Sequence, residues 1–133
     1  MGEVITKILE KHGVALGYIF GSHARDTAGP LSDIDVAVAF PYSLSRDGQD
    51  EKIASLRNEI QKIFKTDYVD VINLNINNNP ALRYSIIFEG KALLVADPNL
   101  KTFLEIKAVK DYEDTRHLRD VQSKIIRNKI YAA

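Results

Sequence analysis

Cysteine is absent from the 133 residues. That excludes disulfides, thiolate zinc sites and cysteine nucleophiles. An excess of charge is absent too, because 18 Lys and Arg balance 18 Asp and Glu. A dedicated nucleic-acid binder normally carries a basic surplus, so the balance argues against that class while leaving room for a local basic patch. No apolar run approaches the roughly 18 residues of a membrane span. The opening Met1-Gly2-Glu3-Val4 lacks a basic segment followed by an apolar one, so no secretory signal is expected. With no cysteine and no membrane signal, the expected location is the cytoplasm. Neither GxxxxGK[ST] nor GxGxxG occurs, which removes the P-loop and Rossmann readings. His12, His23 and His117 show no metal-ligand spacing.

What is present is an ordinary globular composition, 45% hydrophobic and 27% charged. A chain of this length buries roughly two-thirds of its unfolded surface, enough for one core. A single domain over 1–133 is expected, with a core to about residue 97 and a helical segment from about 98. No internal repeat or interdomain linker interrupts it.

Val4, Ile5, Ile8 and Leu9 recur at helical spacing before Gly13. Residues 14–20 are apolar and rich in β-formers, and predict a buried strand. A short helix over 22–27 with Ser22 as its cap is expected next, and Gly29-Pro30 breaks the chain. Residues 34–40 predict a second strand and 41–50 a surface loop. Ile53, Leu56, Ile60, Ile63 and Phe64 form one face of a helix over 51–65. Residues 68–74 predict a third strand, followed by an asparagine-rich loop. Pro80 suits the first turn of a helix that stops at Gly90. Residues 92–96 form a short fourth strand, and the rest is helical, with a break expected within 111–117. The order α-β-α-β-α-β-α-β-α points to an α/β or α+β fold, a small mixed sheet of about four strands flanked by helices. The strand order stays open.

The chemistry concentrates in residues 21–35. A strand ends at Gly21, where a ligand can approach bare backbone. Ser22 adds a hydroxyl and an N–H at a turn suited to phosphate. Asp33 and Asp35 follow, and positions two apart on a strand share a face. Two adjacent carboxylates repel unless a cation neutralises them, and hard oxygen ligands beside a phosphate site suit Mg²⁺. A third carboxylate belongs on a neighbouring strand. Asp70 stands alone in Val69-Asp70-Val71-Ile72, where an unpaired charge is costly. Asp67 competes, but it falls at the strand entrance, where a turn Asp needs no function.

Gly21-Ser22, ten residues and Asp33-Ile34-Asp35 match the GS-x10-DxD signature. The chain thereby resembles the DNA-polymerase-β-like nucleotidyltransferases, specifically their minimal or MNT-type branch. Gly21-Ser22-His23-Ala24-Arg25, Ser32-Asp33-Ile34-Asp35-Val36, Val69-Asp70-Val71 and residues 87–94 all fit that branch, so the resemblance spans about 4–96. It implies a nucleotidyltransferase fold, with Gly21 and Ser22 holding the β- and γ-phosphates of ATP. Asp33, Asp35 and Asp70 would bind two Mg²⁺ ions, and Asp70 would help deprotonate the attacking hydroxyl. Arg25 is either a phosphate grip or a surface residue. Asp26 departs from the glycine frequent at that position and puts a negative charge near the triphosphate.

MNT-type chains of this size resemble antitoxins encoded with a HEPN-domain RNase toxin. The implied activity is transfer of AMP from ATP to a toxin tyrosine. Two alternatives stand beside it: a small-molecule nucleotidyltransferase of aminoglycoside-modifying kind, and an antitoxin that acts by binding alone. No Arg-x4–6-His pattern of the toxin type occurs here. His23 reads as a bystander, and Lys91 and Arg83 as solvated. The six tyrosines are scattered and suggest no stacking platform. Leu118, Val121, Ile125 and Ile130 make a partial apolar stripe that either packs on the sheet or faces a partner. A core this small, with no basic surplus, has little with which to hold a large substrate, so the acceptor is expected on another chain and nucleic acid is not expected as a substrate.

Overall fold

The computed structural model describes residues 1–24, 33–76 and 79–131, with backbone alone at 117, 119 and 128–131. The elements are α1 (Gly2–Lys11), β1 (Leu16–Phe20), a 3-10 turn (Gly21–His23), β2 (Ile34–Ala39), α2 (Arg46–Phe64), β3 (Val69–Asn73), α3 (Pro80–Glu89), β4 (Lys91–Val95) and α4 (Pro98–Tyr131). Among these residues no helix is long and apolar enough to cross a membrane.

The strands form one sheet in the order β3-β2-β1-β4. β1 pairs antiparallel with both β2 and β4, whereas β2 and β3 are parallel. A parallel pair needs a crossover, and α2 supplies it. The mixed four-stranded sheet flanked by helices is the architecture that the element order led one to expect.

Alternation along the strands divides the core in two. Val36, Val38, Val71 and Ile19 pack on one face with Ile5 and Leu9 of α1 and Leu56 and Ile60 of α2. Leu16, Tyr18, Ala37 and Ala39 pack on the other with Ile86 and Ile87 of α3 and Leu100, Leu104 and Ala108 of α4. Tyr18 lies so deep that burial, followed by the nearby Glu105 charge, pushes its phenol up to about 12.

Several boundaries differ from expectation for local reasons. α2 starts at Arg46, because Ser45 Oγ accepts the Gly48 N–H at 3.1 Å and caps it. The loop expected over 41–50 is therefore half as long. Two asparagines after β3, Asn75 and Asn79, are working residues. Asn75 accepts from Phe40 N at 2.8 Å and donates to Phe40 O at 3.0 Å, which ties the ends of β2 and β3 together. Asn79 Oδ1 accepts the Leu82 N–H and caps α3, with Pro80 in the first turn. α4 runs unbroken through 111–117, where a break was expected. Its local pattern weakens there because the body, not a turn, ends. Gly90 closes α3 in an extended conformation; a Cβ there would strike Ile86 O, so close approach makes it glycine.

Candidate active site

The site gathers where β1 ends and β2 and β3 begin. Register places Phe20 opposite Asp35, and Asp35 opposite Asp70. Register partners in a sheet share a face. Val36 and Val71 point into the α1/α2 layer, so Asp35 and Asp70 project to the other side. Asp33, immediately before β2, falls on that side by the same two-residue period. Asp70 thus faces the same way as the DxD pair. Asp67 lies in the turn ahead of β3, where its carbonyl accepts from Gln61 and Val69.

Electrostatics bear the mark of this crowding. Burial, then the charges of Asp70 and Asp33, raise the Asp35 carboxyl above the usual range, and His23 offsets part of the rise. Asp35 is half-buried and its two neighbours are exposed. Among the described residues, no three acidic or imidazole side chains lie close enough together to hold a metal ion. The donor chemistry nevertheless suits a hard cation: Asp33, Asp35 and Asp70 are carboxylates whose mutual repulsion a divalent ion would relieve.

Gly21 explains how the turn and the carboxylates fit together. Its φ is +72°, and a Cβ would stand 2.5 Å from Asp35 Oδ2. The left-handed backbone demands glycine, and the Asp35 carboxylate would have to swing aside for any side chain there. The turn over Gly21–His23 is a single 3-10 turn closed by Ala24 N donating to Gly21 O at 3.2 Å. Ser22 therefore sits inside the turn and does not cap it as expected, since Phe20 holds the cap position. The rest of the expected helix, with Arg25 and Asp26, lies outside the described residues.

Three features here escaped the sequence reading. His23, read as a bystander, comes close enough to Asp35 to act on its titration. Its Nε2 is buried with no hydrogen-bond partner among the described residues. The end of α3 reaches the turn, so a cleft of about 100 Å³ is lined by Phe20, Gly21, Ser85, Glu89 and Gly90. Only the adjacency of His23 to Ser22 gave any signal in the sequence; the approach of α3 gave none.

Two readings need correction. Arg83 is buried, not solvated. It donates to Leu74 O at 3.3 Å and pairs with Asp111 at 3.5 Å, joining β3, α3 and α4. It lines a cavity of about 300 Å³ at the opposite ends of the strands, with Ala39, Leu74 and Asn75 and none of the site's carboxylates. The tyrosines are not all scattered either: Tyr84 stacks on Tyr112 at 4.4 Å and tilts against Phe88 at 4.8 Å. Lys91 is exposed at the start of β4, as expected.

Comparison with known proteins follows the same geometry. The family model described as polymerase beta nucleotidyltransferase matches residues 3–99. A Methanocaldococcus jannaschii relative, MJ0435, provisionally named a protein adenylyltransferase, is 34% identical over 90 residues, 68% of this chain and 90% of the relative. Among solved structures, a chain of a toxin–antitoxin structure with AMP-PNP superposes with a TM-score of 0.73 at 24% identity, covering 97% of this chain and 98% of that one. A chain from the complex of a tri-AMPylated Shewanella oneidensis HEPN toxin with its MNT antitoxin gives 0.63 at 22%, covering 98% and 99%. At these identities the two structures speak to the fold.

Proposed function

From the premise that this chain belongs to the polymerase beta nucleotidyltransferase family, we propose that it transfers AMP from ATP to a tyrosine hydroxyl of a HEPN-domain toxin and thereby neutralises it. The observation that carries the proposal is Asp35 held opposite Asp70 in parallel register, directly against the glycine of the phosphate turn. The relative named for protein adenylylation supports the choice of acceptor class. The fold neighbours drawn from toxin–antitoxin complexes support the choice of partner.

The chemistry follows from where the groups stand. The backbone of Gly21 and the hydroxyl and N–H of Ser22 bind the terminal phosphates, with Arg25 as a candidate further grip. Asp33, Asp35 and Asp70 would hold Mg²⁺, which supplies charge neutralisation at the attacking and leaving oxygens when bound. Asp70, at the edge of the group on β3, takes the proton of the acceptor hydroxyl. The tyrosine oxygen forms a bond to the α-phosphorus, the bond from that phosphorus to the β-phosphate oxygen breaks, and pyrophosphate leaves. His23 ends the turn and Glu89 borders it.

The test is incubation of the chain with Mg²⁺, labelled ATP and its genomic neighbour, if that neighbour is a HEPN-domain protein. Label on a toxin tyrosine, lost in Asp33→Ala and Asp35→Ala, is the expected result. Tight binding without label would support an antitoxin acting by contact alone. Label on an added aminoglycoside and none on the toxin would support the small-molecule reading.

A further inference from the structure

α4 is longer than the body it packs on. Its 34 residues extend about 51 Å at 1.5 Å per residue. Leu100, Leu104 and Ala108 are buried against the sheet, and Asp111 pairs with Arg83. Among the described side chains, none beyond Ala108 is buried. The spacing of three and four that built this contact continues through Thr115 to Leu118, Gln122 and Ile125. The core-facing seam thus overshoots its own core. Leu118 is 61% exposed, Ile125 49% and Ile126 59%. With Val121, these apolar positions stand at i, i+3, i+7 and i+8, the spacing of a helix that lies in a groove.

Two arguments choose the occupant. The exposed seam spans about two heptads, short of the three or four that sustain a coiled coil. The occupant must therefore supply a wider surface than a second α4. Charge gives its character: residues 116–131 hold five Lys and Arg against one Asp. An apolar groove with an acidic rim complements that segment.

We infer that the projecting half of α4 is the docking element for the acceptor protein, seated in an apolar, acid-rimmed groove of that partner. The inference rests on the functional reading above, since the partner is the toxin that reading names. It separates docking from chemistry: α4 holds the acceptor and the carboxylate group modifies it. Because Leu118 and Ile125 are exposed, substituting them leaves the body of the protein intact.

Titration calorimetry of the full chain with the HEPN protein tests this, alongside Leu118→Glu/Ile125→Glu and Asp33→Ala/Asp35→Ala. The first double variant is expected to bind at least about 100-fold more weakly, as loss of two central anchors does. The second is expected to bind as wild type while transferring no label. Wild-type affinity in the Leu118→Glu/Ile125→Glu protein would overturn the inference and leave the functional reading standing. A wild-type dimer that this variant dissociates would overturn it in favour of a second copy. Label transfer by Asp33→Ala/Asp35→Ala would sink the catalytic reading and spare the docking one.

Discussion

Asp35 carries its charge against burial and against two neighbouring carboxylates, and its folded-state carboxyl is raised as a result. A raised acid binds its proton more tightly folded than unfolded, so its ionisation costs stability as pH climbs above the ordinary value of 3.8. At neutral pH the cost is fully present. Asp35→Asn should therefore melt above wild type in EDTA, and Mg²⁺, expected to stabilise wild type, should not stabilise the variant. Differential scanning calorimetry with and without the metal checks both. Gly21→Ala should move oppositely, because its Cβ meets Asp35 and its backbone is left-handed. A loss of about 1–3 kcal/mol and at least a tenfold loss of transfer are expected from urea unfolding and a labelling assay. At this scale the sequence was legible in part: Asp70 does stand opposite Asp35, but it is exposed, so the burial cost that singled it out is absent. Arg83 was illegible because its partners, Leu74 O and Asp111, come from other elements.

Elements owe their boundaries to single side chains. Ser45→Ala removes the hydrogen bond that starts α2 and should destabilise by about 0.5–2 kcal/mol in urea unfolding. Glu59 joins α1 to α2, accepting from Lys11 at 2.8 Å and His12 at 2.7 Å. These hydrogen bonds, Lys11's first, lower its carboxyl below the usual 4.5. Stability from a lowered acid is complete above its unfolded value and fades as pH falls through the folded one. Glu59→Gln should thus cost stability at pH 7 and flatten the fall in melting temperature below about pH 4.5. Added salt should shrink the difference, since Lys11 is largely exposed. The types of the α-helices and strands were readable from periodicity and glycine stops; the 3-10 turn after β1 was not. The start of α2 was misplaced because Pro41 to Asp50 has loop composition, and only the Ser45 cap reveals the helix. The supposed break in α4 came from a stripe that changes from buried to exposed, which periodicity alone reads as an interruption.

The whole molecule is a small nucleotidyl-transfer core with balanced charge and a helix that runs past it. The element order foretold a mixed sheet with helices on it, but not the order β3-β2-β1-β4. That order matters most, because it brings Asp70 of β3 beside Asp35 of β2 and leaves the turn after β1 on the other side. The carboxylates and the Gly21-Ser22 turn were legible as a motif; the third acid's partner and the cleft at the end of α3 required the fold. The balanced charge argues against a dedicated nucleic-acid binder, and the proposed acceptor is a second protein. The most direct measurement is intact-protein mass spectrometry of the HEPN partner after co-expression with this chain. A gain of one or more AMP units on the partner with wild type, and none with Asp33→Ala/Asp35→Ala, is predicted. An unmodified partner that is nonetheless neutralised in the same cells would contradict it.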